Sequence, residues 1–96
     1  MVVVILFLGG ILPQITSGNL SDYMYNTYNG IHFFKVVYNQ ISDIPDLPEK
    51  SHGFLIQLGG SVCLQIYGNL SNHLFYRTKN GAGTISSWNR LATVSD

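Results

Sequence analysis

Charge is what this sequence has least of. Five Lys/Arg and five Asp/Glu make up 10% of its 96 residues and cancel to a formal net charge of zero. The basic footprint of a protein that neutralises several phosphates is therefore missing, and nucleic acid is excluded as a main partner. Cysteine is nearly absent. The single Cys63 can close no intrachain disulfide and belongs to no paired-cysteine metal motif. Within Val62-Cys63-Leu64, with no basic residue beside it in sequence to lower its pKa, it reads as a small buried hydrophobe and not as a reactive thiol. Redox compartment is left open. Catalytic spacings are missing as well: the sequence has no His-x-x-x-His pair, no Gly-x-Ser-x-Gly elbow, and no glycine loop leading into Lys-Ser or Lys-Thr. The titratable residues His32, His52, His73, Asp22, Asp43, Asp46 and Glu49 are scattered. The reading is a non-enzymatic chain that implies no metal and no cofactor.

What is abundant is apolar and aromatic surface. The hydrophobic fraction is 46%, too high for disorder, and the chain length suits one domain with one core. So few charges to solvate so apolar a chain predict that part of its surface is covered by a neighbour, in a homo-oligomer. Residues 1–17 stand apart. The run Val2-Val3-Val4-Ile5-Leu6-Phe7-Leu8 before Gly9-Gly10 is too short to span a bilayer, so no membrane insertion is expected. It has the length of a signal-peptide core, yet no Lys or Arg precedes it and Thr16-Ser17-Gly18 is a poor cleavage site. The preferred reading is a β-branched strand or a piece of an upstream domain, buried against a partner; a secretion signal is the alternative. Residues 18–96 form the domain proper.

From residue 18 the chain reads as a β protein. Asn19 and Ser21 are cap candidates ahead of one or two helical turns. Asn29-Gly30 supplies positive φ and leads into the strand-like run Ile31 to Tyr38. Pro45 and Pro48 remove ladder donors and mark a crossing loop. Phe54 to Leu58 and Val62 to Tyr67 are joined by Gly59-Gly60-Ser61 as a hairpin, with Phe54, Ile56, Leu58, Leu64 and Ile66 on one face and Cys63, Gln65 and Tyr67 on the other. His73 to Thr78 then turns through Asn80-Gly81-Ala82-Gly83 into Thr84 to Trp88. The expected fold is mainly β: a small antiparallel meander or sandwich-like knob with one short N-terminal helical turn. The string Gly18-Asn19-Leu20-Ser21 returns as Gly68-Asn69-Leu70-Ser71, but two copies do not make a solenoid. Both match the Asn-x-Ser glycosylation pattern, which has meaning only in a eukaryotic secretory setting.

Aromatic residues carry most of the functional signal. Tyr23, Tyr25, Tyr28, Tyr38, Tyr67, Tyr76 and Trp88 combine flat apolar rings with polar tips, the surface used against sugar rings and protein partners, although packing explains any one of them as well. Gln65, Tyr67, His73, Arg77, Asn80 and Trp88 form the candidate ligand-binding group, polar and aromatic residues expected on the hairpin faces. Arg77 is placed to stack on Trp88 or to hold a carboxylate. The carboxylates of the proline-bounded loop are explained by turn chemistry without a ligand.

In their order these residues resemble the knob domain of phage and pyocin tail fibres. The likeness runs through Leu20 to Tyr23, Gly30-Ile31, Leu47-Pro48, Gly53-Phe54-Leu55, Gln65-Ile66-Tyr67, Tyr76-Arg77 and Trp88 with Leu91. It covers Gly18 to Leu91. A second tryptophan common in that family has Ile85 in its place here. The resemblance implies a virion tail-fibre module, on a usually trimeric protein, that contributes to attachment to a bacterial surface saccharide; it implies no catalytic residue. Three alternatives stay open: a structural or trimerisation unit of the fibre, a fragment of a prophage depolymerase, and a secreted sugar-binding protein.

Overall fold

The computed structural model describes residues 12–25, 29–38 and 43–92. Within them lie β1 (Gln14–Ile15), the helical turn α1 (Asp22–Tyr25), β2 (Gly30–Val36), β3 (Gly53–Gly59), β4 (Cys63–Asn69), β5 (Leu74–Lys79) and β6 (Asn89–Leu91). The strands form one six-stranded sheet in chain order. Neighbours are antiparallel except β1, which lies parallel to β2. The expected small β meander with one helical turn is the fold of this protein. The strand reading of residues 2–8 and the aromatic Tyr28 lie outside the described residues.

Glycine geometry makes the central hairpin. Gly59 has φ +110°, and a side chain there would collide with the Val62 carbonyl oxygen, so the turn from β3 to β4 needs glycine. Register follows: Leu58 faces Leu64, Ile56 faces Ile66 and Leu55 faces Tyr67. In the turn after β5, Asn80 Oδ1 accepts from the backbone N–H groups of Ala82 and Thr84, both at 3.0 Å. This Asx arrangement is the local reason the chain reverses after β5.

The final strand departs from expectation. Thr84 to Trp88 reads as a strand, but Ile85 makes only an isolated bridge to Lys79, and the ladder resumes with Tyr76 opposite Asn89. Between those pairs, two residues of β5 oppose three of the returning chain. The extra residue is a β-bulge beside Arg77, and it re-aims the chain so that Trp88 packs on the sheet.

The sheet has two unlike faces. One carries Phe34, Val36, Leu55, Gln57, Cys63, Gln65, Tyr67, Phe75, Arg77 and Lys79, all buried. It is covered by Ile15, Leu20 and Ile44, with Tyr23, Leu47 and Trp88 half-buried against them. The other face carries three cross-strand rows: Ile31, Leu58, Leu64 and Thr78; Phe33, Ile56, Ile66, Tyr76 and Asn89; Gln14, Lys35, Phe54, Gly68, Leu74 and Leu91. Its residues are half-buried or exposed. The parity read from sequence holds, but the side holding the glutamines is the one that is sealed.

Candidate functional site

Three of the four buried polar or charged residues of the sealed face, Gln57, Gln65 and Arg77, sit in one row; Lys79 lies in the next, opposite Cys63. Gln57 opposes Gln65 on β4, which opposes Arg77 on β5; the registers of these two strand pairs align the three side chains. Arg77 Nε donates to Gln65 Oε1 at 2.9 Å. Gln65 Nε2 donates to Gln57 Oε1 at 2.9 Å and to the Leu20 carbonyl at 2.8 Å. Gln57 Nε2 donates to the Tyr23 carbonyl at 2.9 Å. The amide side chains thus satisfy carbonyl groups of the helical segment that lies over them. Both glutamines are 0% exposed, so a single unpaired atom in this row would carry a full desolvation cost.

Asp46 closes the row from the opposite side. Its Oδ2 accepts from Arg77 Nη2 at 2.7 Å and from the Ser21 N–H at 2.8 Å, and its Oδ1 accepts from the Leu20 N–H at 2.7 Å. Its backbone carbonyl accepts from Trp88 Nε1 at 2.7 Å. The Arg77 guanidinium carbon lies 4.4 Å from the centre of the Trp88 ring, within cation–π range. Asp46 therefore ties the proline-bounded loop, the helical segment, β5 and the bulge to one point. Proline on either side, at 45 and 48, limits the conformations that this loop must lose to do so.

Around this row lie three further groups. Tyr67, 0% exposed, donates to the Ser51 carbonyl at 2.5 Å. Burial pushes its hydroxyl up to about 12, against the opposing effect of a hydrogen bond with Asn69. Cys63 is buried, and burial raises its thiol above the ordinary value against the pull of Lys79 and Arg77; a thiol kept protonated is a poor nucleophile. Lys79 Nζ donates to the Ser61 carbonyl at 2.6 Å and lies 5.7 Å from the centre of the Tyr25 ring.

The structure brings Gln65, Arg77 and Trp88 together, with Tyr67 beside Trp88 at 6.4 Å between ring centres. It does so on the sealed face, with their polar atoms used inside the protein. Asn80 is exposed and caps its own turn. His73 stands elsewhere: its Nδ1 lies 2.8 Å from Glu49 Oε1, and Asn69 Nδ2 donates to the same oxygen at 2.6 Å. These hydrogen bonds, Asn69's first, hold the Glu49 carboxyl below its ordinary value, with partial burial opposing them. His73 borders a cleft of about 440 Å³ on the open face, lined mainly by Phe54, Ile56, Ile66, Leu70 and Leu74. Of the six candidate residues, His73 is the one that reaches this cleft.

Sequence reasoning missed Asp46 as the centre of the network, and it missed Gln57. The signal for Gln57 was present, because Gln57 and Gln65 share a face by strand parity. For Asp46 there was none, since 31 residues separate it from Arg77. The repeated Gly-Asn-Leu-Ser string has unlike fates: Leu20 is 0% exposed and Leu70 is 71% exposed. Among the described residues no group of three His, Cys, Asp or Glu side chains is placed to hold a metal ion, and no helix is long and apolar enough to cross a membrane. No protein-family model matches the chain, and no curated protein or solved structure matches it either.

Proposed function

We propose that this chain is a non-enzymatic module of a phage or prophage tail fibre, located in the virion and serving the assembly of the host-attachment apparatus. The observation that carries the reading is the division of labour between the two faces of the sheet. One face spends its polar and aromatic residues on internal contacts. The other offers Ile31, Phe33, Phe54, Leu74, Tyr76 and Leu91, each at least 36% exposed, in continuous rows. Contiguous apolar surface of that kind marks an interaction site. The tail-fibre resemblance supports the reading further, because Leu20, Tyr23, Leu47, Tyr67 and Trp88, which carry it, belong to or pack on the core, and Gln65 and Arg77 belong to the buried row. A pattern of that type specifies a scaffold, and function lies in the surface the scaffold presents.

A second reading, attachment to a surface saccharide, rests on the cleft beside His73. Asn69, Asn72 and His73 give it a polar rim next to the exposed Phe54 ring, and a few polar groups beside an apolar wall are what a small-ligand site requires. The test of the main reading is particle purification from cells that encode the chain, after prophage induction, with peptide mass spectrometry of the particles. Recovery of its peptides at structural-protein abundance is expected. Their absence from intact particles overturns the virion assignment. A glycan array separates the second reading: saturable binding lost in His73→Ala would move the function to attachment.

A further inference from the structure

We infer that the open face of the sheet pairs with the same face of a second copy of this chain, giving a two-fold symmetric sandwich. This rests on the assembly reading above, names the partner, and replaces the three-fold symmetry that the tail-fibre resemblance implies with a two-fold one. Ile31 (64% exposed), Phe33 (43%), Phe54 (52%), Leu74 (47%), Tyr76 (36%) and Leu91 (48%) present roughly 600 Å² of side chain, at about 200 Å² for each large side chain when fully exposed. That is the top of the range soluble monomers leave open, about 300–600 Å². The half-buried Ile56, Leu58, Leu64 and Ile66 of the same rows bring the patch close to the roughly 800 Å² that each partner gives to a standard stable interface.

The chemistry of the face selects a copy of itself. Lys35 is the one charged residue in its three rows among the described residues, and it stands on β2 near the sheet edge, while the chain as a whole has zero formal net charge. Two copies can therefore approach without like-charge repulsion, and nothing on the face provides the charge pattern that would specify a different partner. A two-fold pair needs one patch complementary to itself, and it closes without leaving a second patch open. Aligned sheets pack about 10 Å apart with their side chains interleaved. Gly68, which leaves no side chain between Phe54 and Leu74 in its row, opens the cleft of about 440 Å³ between Phe54, Ile66 and Leu74, a hollow that accepts a projecting ring from the facing copy.

The test is mass in solution, by light scattering coupled to size-exclusion chromatography, on the native chain and on Phe33→Glu, Phe54→Glu and Ala82→Glu. Ala82 lies in the exposed turn after β5 and serves as the control. The native chain and Ala82→Glu are expected at the mass of two copies. Each face variant is expected at one copy near the same concentration, association weakened about a hundredfold or more by burying an unpaired charge in an apolar interface. Emission from Trp88, on the opposite side of the sheet, reports whether the variants remain folded. The melting temperature of the native chain, which rises with concentration in a dimer, tests the inference without any substitution. A native monomer with a concentration-independent melting temperature overturns it, whether the face is open or covered by another segment of the same chain. A native mass of three copies, or a dimer indifferent to Phe33→Glu, overturns it as well. A monomer that is still recovered in phage particles sinks this pairing and leaves the virion reading standing; a dimer absent from particles does the reverse.

Discussion

Asp46→Ala is expected to be among the most damaging single changes outside the apolar core. Its carboxylate is the counter-ion of Arg77, which is 5% exposed, and it accepts from two backbone N–H groups, those of Leu20 and Ser21. Removing one partner of a buried ion pair costs about 3–5 kcal/mol, because the other charge stays buried and uncompensated. A buried N–H without an acceptor adds about 1–3 kcal/mol; Leu20 is 0% exposed, so its N–H bears most of that term. Partial exposure of Asp46 lets water take some of the load, and a net loss of about 3–5 kcal/mol is the working figure. A domain of this size has roughly 5–15 kcal/mol in total, so the variant should lose a large part of its stability. Urea denaturation followed by Trp88 emission measures it, since the indole donates to the Asp46 carbonyl. Arg77→Met in the Asp46→Ala background removes the stranded charge and should recover at least about 1.5 kcal/mol of coupling in a double-mutant cycle. A loss below about 1 kcal/mol for Asp46→Ala, or no coupling with Arg77, would refute the network as the clasp of the fold.

Further outcomes follow from the same structure. Tyr67 keeps its proton up to about 12 in the folded chain, whereas an exposed tyrosine ionises near 10; its contribution is intact below about pH 10 and is lost as pH rises toward 12, by up to about 3 kcal/mol. Urea midpoints of the native chain and Tyr67→Phe should converge over that range, and parallel curves would contradict the burial of the hydroxyl. Glu49, held below its ordinary value of 4.5, contributes stability above that pH and loses it as the solution is acidified through its lowered pKa. Glu49→Gln should therefore flatten the acid limb of the stability curve, and an unchanged limb would mean that the bonds to Asn69 and His73 hold no preference for the carboxylate. Gly59→Ala, at φ +110° and against the Val62 carbonyl, should cost about 1–3 kcal/mol from backbone strain alone, read as a lower urea midpoint. A neutral result would place the turn in another conformation.

Much of the scaffold was legible because its signals are local. Gly59 and the Asn80 turn are set by positive φ and by an Asx bond within a few residues, so both reversals of the chain and the strands flanking Gly59 could be placed from sequence alone. Strand parity, likewise, placed Phe54, Ile56, Leu58, Leu64 and Ile66 on one face and Gln65 and Tyr67 on the other. Trp88 was harder. A bulge has no signature in Ser86-Ser87-Trp88, and the ring is held by a carbonyl 42 residues away.

The sequence alone determined the class of the fold, the face parity of the central hairpin and the absence of catalytic spacings, since each depends on neighbours within a few residues. Which face of the sheet would be sealed was decided only by tertiary structure. By hydrophobicity the Phe54, Ile56 and Ile66 side should be buried, yet the glutamine and arginine side is. Carbonyls of Leu20 and Tyr23 and the carboxylate of Asp46, brought from 31 to 45 residues away in the chain, satisfy that polar row and make its burial affordable. The apolar face is left open as a consequence, because the covering segments were already committed to the other side.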